Sequence, residues 1–181
     1  MAKSFNKYYI LIWFTLCSFT VHSNGILRAD IINYASRFVG VQEKTNNNDG
    51  WVIEELILKP LKLPKGTAYC AAFTSFIYRN CGVENNPNSA WSPDWAKDED
   101  AVYKKNKLGS LDRAQKGDIV SYWRENKGRV GHVGIYETKV GNYIYTIEGN
   151  TSDMNDGGID GIYKRVRHKS SAYTITNYID K

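Results

Sequence analysis

"KGTAYCAAFTSFIYRNCG", residues 65–82, sets a cysteine between a glycine-bearing loop and an apolar run. Pro64 and Gly66 mark residues 62–67 as loop. Beyond them Cys70, Ala71, Phe73, Thr74, Phe76 and Ile77 follow the spacing of a helix buried on most sides, closed by Cys81-Gly82. Thr67 is the expected cap, which puts Cys70 in the first turn. A thiol there feels free backbone N–H groups and the positive end of the helix dipole, both of which favour its anion. The competing reading is a small buried hydrophobe, and Cys81, at the far end of the run, keeps that reading.

On the N-terminal side, Ile26, Leu27, Ile31, Ala35, Phe38 and Val39 recur at three and four, predicting an amphipathic helix. "GVQEKTNNNDGW" breaks that pattern, and residues 51–58 predict a second, shorter helix before Pro60. On the C-terminal side, residues 84–116 hold Pro87, Pro93, several asparagines and a lysine cluster, read as loops with one short helix around 95–104. The composition then changes. Residues 118–123, 130–138, 142–148, 161–166 and 173–179 are short, rich in Val, Ile, Tyr and Thr, and separated by Gly, Asn and Asp. N-terminal helices followed by a C-terminal antiparallel β-sheet make an α+β fold.

Residues 1–23 stand apart. Lys3 and Lys7 precede an almost wholly apolar stretch, 8–19, and then Val21-His22-Ser23. This is the pattern of a secretory signal peptide cut near Ser23, too short to span a bilayer, and it predicts a secreted or periplasmic protein with one domain over 24–181. Removing the leader takes two lysines and no acid from a chain of net charge +5. The remaining charges are interspersed, with no basic block that would support a nucleic acid partner. Cys17 leaves with the leader. Eleven residues of helix hold Cys70 and Cys81 about 16 Å apart, beyond a disulfide, so both are expected as free thiols. An exported chain that keeps free thiols calls for a use for one of them.

"GHVGIYETKVGNYIYTIEGN", residues 131–150, supplies the other half of a site. With Lys139-Val140-Gly141 as a three-residue turn and Gly141 left-handed, His132 faces Glu148 across an antiparallel pair, with Cβ atoms about 4.5–5.5 Å apart. Asn150, two residues on, is an alternative orienter for the imidazole. If this pair lies opposite Cys70, the imidazolium lowers the thiol's pKa further and the carboxylate fixes the ring's tautomer. The set is a thiolate nucleophile for acyl transfer that needs no metal or cofactor. Gly131 and Gly134 beside His132 thin the sheet and let something approach closely. His168, in the basic run "KRVRHKSS", reads as solvent-exposed, and Asp118 as a turn residue at a strand start. "NNNDG" and "NTSDMNDGGID" are oxygen-rich but lack the ordered acidic spacing of a calcium loop, and no paired ligand spacing suggests zinc.

"GVQEKTNNNDGWVIEELI", "AYCAAFTSFIYRNCGV", "KGDIVSYW", "GHVGIYE" and "IEGN", in this order and spacing, resemble the CHAP-domain proteins, papain-like cysteine amidases and peptidases of bacterial cell-wall lysis. The resemblance covers about residues 31–152. It implies a papain-like fold in which Cys70 attacks a peptidoglycan amide, His132 acts as base and then acid, and Glu148 orients the ring. Asn150 matches the family's asparagine two residues after that glutamate. Tyr69 stands where similar sequences often carry tryptophan. The resemblance further implies a monomer acting on peptidoglycan or muropeptides, as N-acetylmuramoyl-L-alanine amidase or as stem or crossbridge endopeptidase, without lasting membrane insertion. Without a second wall-binding domain, targeting is expected from the groove itself, with Tyr69, Trp91, Trp95 and Trp123 as candidate walls, or from a partner. The alternative is a wall-binding module of the same fold without turnover.

Overall fold

The structure is a computed structural model and describes residues 24–152 and 158–181. The leader expectation, with Cys17 and His22, and the centre of the second oxygen-rich run lie outside the described residues.

The expected amphipathic helix is α1, Asn24–Ser36, which buries Arg28, Ile31, Ile32 and Ala35. Residues 52–58 form a π-helical turn that tightens at Pro60 into a 3₁₀ turn over Lys59–Leu61. The buried helix is α2, Cys70–Asn80, in which every side chain from Cys70 to Tyr78 is buried. It opens without the expected cap: the Thr67 hydroxyl donates to Pro64 O at 2.7 Å, within its own turn, and Tyr69 stands at the N-cap position with no side-chain bond. The short helix expected around 95–104 is replaced by two 3₁₀ turns, Ser92–Trp95 and Asp98–Asp100, and a strand, β1, Ala101–Lys104. Val102 and Tyr103 reach an apolar cluster on the sheet as members of that strand, which explains why pairing wins over helix there.

The remaining strands are β2, Ile119–Arg124; β3, Arg129–Val140; β4, Tyr143–Ser152; β5, Asp160–His168; and β6, Thr174–Thr176. All pairs are antiparallel, in the order β1-β6-β2-β3-β4-β5. One sheet face meets the helices, where Ile119, Val133, Ile135, Ile147 and Ile162 join Ile31, Phe73 and Ile77 in a core. On the other, Val120, Tyr136, Ile144 and Ile175 are covered by Val102, Leu111 and Ala114. Each such side chain contributes about 1.5–3 kcal/mol of burial. Gly149 in β4 sets how closely α2 approaches the sheet: a Cβ built there would meet Phe73 Cβ at 2.9 Å.

The β3–β4 hairpin departs from the expected register. Val140 pairs with Tyr143, so the turn is the two residues Gly141-Asn142, and a bulge between Tyr136 and Thr138 then sets Ile135 against Ile147. A two-residue turn matches the right-handed twist of its strands, which favours it over the longer loop. Continuing the register puts Gly134 opposite Glu148, with His132 one step along the same face.

Asp118 is a buried charge rather than a simple turn residue. Arg28 Nη1 donates to its Oδ1 at 2.8 Å and to Lys116 O at 2.7 Å, while Nη2 donates to Asp180 at 2.6 Å and Asn177 at 3.1 Å. These bonds tie α1 to the start of β2 and to the C-terminal residues. The Tyr78 hydroxyl in α2 donates to Gly117 O, adding a second tie at the same point.

Candidate active site

Cys70 is the first residue of α2, so its own N–H is among those a helix leaves unpaired. It is 7% exposed, so nearly all of the residue is packed. Three groups surround the sulfur: His132, the N–H of Val133, and the Ser92 hydroxyl at 3.4 Å. Ser92 opens the 3₁₀ turn after Trp91 and is buried.

His132 lies in β3 beside a local irregularity in which Tyr122 pairs with His132 while Trp123 pairs with Val130, leaving Gly131 as the extra residue. Such bulges re-aim side chains. The ring's Nε2 meets Glu148 Oε2 at 2.7 Å, so Nδ1 is the nitrogen left for the thiol. Glu148 reaches His132 from a diagonal position because Gly134, which faces it, has no side chain. Glu148 is fully buried. Thr146 donates to Oε1 at 2.6 Å, and Arg167 donates through Nε to Oε1 at 2.7 Å and through Nη2 to Oε2 at 2.5 Å.

The electrostatics follow from these contacts. Burial alone would raise the Cys70 thiol, but the hydrogen bond and charge of His132, with Ser92 and the Val133 N–H, bring it down to about 7. Burial alone would lower His132, but Cys70 and Glu148 hold it up at about 9. For Glu148, burial is outweighed by Arg167 and His132, which keep it well below the usual carboxylate range. Between about 7 and about 9 the pair therefore favours thiolate and imidazolium. Cys81 behaves oppositely: burial, then Asp30, push it up to about 11, as expected of an inert thiol. Both cysteines are free.

Asn150 is brought near, but to another task. With φ 54°, it turns away from the strand, and its Oδ1 accepts the Tyr69 N–H at 3.2 Å. Its Nδ2 donates to Asn48 Oδ1 at 2.6 Å and Glu43 Oε1 at 3.3 Å, while Glu43 Oε2 accepts the Asn48 N–H at 2.7 Å. The amide thus ties the 43–50 loop and the end of β4 to the residue before the nucleophile, rather than orienting His132.

Two of the four candidate walls are corrected. Tyr69 is fully buried, its phenol pushed up by burial and by neighbouring Glu43. Trp95 is also fully buried, edge-on to Tyr78 and Tyr178 with both centroids 5.5 Å away, and its Nε1 donates to Ser89 O. Both are core aromatics. Trp91 is 51% exposed under the Arg129 guanidinium, 3.8 Å from its ring centre, and Trp123 is 38% exposed beside Tyr173. Ser92, Thr146 and Arg167 were missed. Ser92 adjoins Trp91, and nothing in the sequence carries it to Cys70. Arg167 sits in the basic run around His168, whose ring is exposed, and only the β4–β5 register reveals it.

A thiol at a helix start against a sheet-borne imidazole, on helices followed by an antiparallel sheet, defines the papain-like α+β class. Residues 62–150 match the family model described as CHAP domain. No curated protein matches the chain. Among solved structures, an NlpC/P60 family protein from Bacillus cereus is 18% identical with a TM-score of 0.50, covering 84% of this chain and 40% of that one. A wild type endolysin is 12% identical with a TM-score of 0.49, covering 83% of this chain and 63% of that one. The chain therefore spans less than two thirds of the length of either structure. Among the described residues no helix is long and apolar enough to cross a membrane, and no cluster of His, Cys, Asp and Glu suits a metal ion.

Proposed function

We propose that the chain is an exported peptidoglycan hydrolase, an N-acetylmuramoyl-L-alanine amidase or a stem or crossbridge endopeptidase, working through Cys70, His132 and Glu148. The observation that carries this reading is the Cys70–His132–Glu148 ladder with its thiol lowered to about 7 and its imidazole raised to about 9. The CHAP match supports the substrate class, and the leader pattern of residues 1–23 supports export.

The chemistry follows from the ladder. The Cys70 thiolate attacks the amide carbonyl carbon, forming a C–S bond and moving the carbonyl pair onto oxygen. The Cys70 N–H, free at the start of α2, is positioned to meet that oxyanion. His132 gives its Nδ1 proton to the departing nitrogen as the C–N bond breaks, leaving a thioester. A water then loses its proton to His132, attacks the thioester, and releases the acid and the resting pair. Glu148 stays ionised throughout and holds the ring by Nε2. Trp91 and Trp123 are the walls that remain available to the glycan or peptide.

Incubating residues 24–181 and the Cys70→Ala variant with purified peptidoglycan, and following products by mass spectrometry, tests this reading. New fragments from the unsubstituted protein alone support it, and their masses name the bond. No fragments from either, across several wall types, would move the reading to a binding module without turnover.

A further inference from the structure

Arg167 belongs to the basic run that reads from sequence as a solvated face, yet its side chain is only 22% exposed and both of its donating nitrogens end on one carboxylate. Its strand position faces Ile144, and Glu148 lies four residues along β4, so the two side chains lean toward each other over Thr146. The Tyr122 ring lies beneath the guanidinium, 4.8 Å from its carbon, and also neighbours His132 at 5.7 Å. Arg167 is thereby packed as well as paired, and its planar fork fits both carboxylate oxygens at once.

We propose that Arg167 is a positioning residue for the amide-cleaving reaction: its fork fixes the rotation of the Glu148 carboxylate so that Oε2 is held on His132 Nε2. Glu148 has two equivalent oxygens and no contact with water. Left with Thr146 and His132 alone, the carboxylate can turn or tilt, and the imidazole loses a fixed direction toward Cys70. Arg167 also supplies the cation that offsets a buried carboxylate, which leaves the charge of His132 free to pair with the thiolate. The groups facing this ladder are Cys70, Ser92 and the Val133 N–H at one end, and Thr146, Tyr122 and Arg167 at the other.

The proposal rests on the Cys70–His132–Glu148 reading, so its first test needs no wall substrate. The rate of Cys70 alkylation by iodoacetamide against pH follows the thiolate directly, in a Cys81→Ser background that leaves one reactive thiol. The acid limb, near 7 in that background, is expected to move up in Arg167→Met and to return part of the way in Arg167→Lys, which restores the charge without the fork. On purified peptidoglycan, kcat is expected to fall about 2- to 100-fold in both variants, the range of coupling within one hydrogen-bond network, with KM little changed. Arg167→Met leaves Glu148 buried with a single cation, so the Glu148→Gln/Arg167→Met pair provides a variant with neither charge, in which kcat is expected to match Glu148→Gln alone. An unmoved acid limb in folded Arg167→Met, or a loss from Arg167→Met that persists in full beside Glu148→Gln, overturns the proposal. A protein that cleaves no wall while its acid limb still shifts with Arg167 overturns the peptidoglycan reading and supports the positioning role.

Discussion

Gly134 lies directly against the side chain of Glu148: a Cβ built on Gly134 would stand 2.6 Å from Glu148 Cγ and 3.4 Å from its Oε1. The missing side chain is the space through which a glutamate on β4 leans across β3 to a histidine that does not face it. Gly134 has no left-handed φ, so alanine there meets a steric obstacle and no backbone strain. Gly134→Ala should therefore displace Glu148 and cost about 1–3 kcal/mol of stability through overpacking. Turnover should fall about 100-fold, the scale of an ångström misplacement. Urea unfolding and kcat on the same preparation would check both, and an unchanged kcat would mean that Glu148 has a second route to His132.

How far the site could be read from sequence is clearest at this hairpin. A single glycine suggested a left-handed residue at position 141 but did not reveal whether it opens a two-residue turn or ends a three-residue one. The bulge at 136–138 then absorbed one residue, and no local pattern encodes that. His132 and Glu148 met all the same, because period-two alternation keeps them on one face whether the register sum is 280 or 282. The helix at Cys70 was legible for a simpler reason: nine successive buried positions leave few other ways to satisfy the backbone. Asn150 was legible as a neighbour but not in its role, since its left-handed φ carries the amide off the strand's face. Trp91 and Trp95 differ by four residues and have opposite fates, which the 3₁₀ turn between them decides and their residue type does not.

Ser92 bears on the thiolate without touching the histidine. Its hydroxyl is buried and stands 3.4 Å from Cys70 Sγ, where it favours the charged sulfur. Ser92→Ala removes that donor, so the thiol's pKa should rise from about 7 and the acid limb of alkylation should move to higher pH. The shift expected is about one to two units, since a hydrogen bond to a charged group contributes about 1.5–3 kcal/mol and one unit is about 1.4 kcal/mol. The alkaline limb, set by His132 near 9, should stay in place. If both limbs move together, Ser92 acts on packing and not on the sulfur.

The three members of the ladder should fail unequally. Cys70→Ala removes the nucleophile and His132→Ala the proton carrier, so each should abolish turnover. Glu148→Gln keeps both and loses orientation and charge, so it should retain more activity than either. It also leaves the Arg167 guanidinium without its counter-charge and with one accepting oxygen in place of two, so some loss of stability should accompany it. Initial rates on purified peptidoglycan, together with melting temperatures, separate these effects. Full activity in Cys70→Ala would remove the basis of the mechanism.

The Arg28–Asp118 pair is a stability device far from the sulfur, and it offers a control for every variant above. Arg28 is the hub between α1, the start of β2 and the C-terminal residues, and Asp118 is fully buried with its carboxyl already raised by burial despite the arginine. Arg28→Met removes the cation and leaves the carboxylate, which should cost about 3–5 kcal/mol, the usual penalty for stranding a buried charge. The folded-state pKa of Asp118 then rises further above its unfolded value, so the folded protein holds a proton that the unfolded chain releases. By linkage, the loss should be smallest at low pH and should grow as pH rises through the carboxylate range. Arg28→Met/Asp118→Asn removes both charges and should recover much of the loss, with a flatter pH dependence. Turnover per folded molecule should match the unsubstituted protein in both cases, because neither residue touches Cys70, His132 or Glu148. Urea midpoints at three pH values would test this, and a loss independent of pH would assign the cost of Arg28→Met to lost packing of its side chain rather than to the stranded carboxylate.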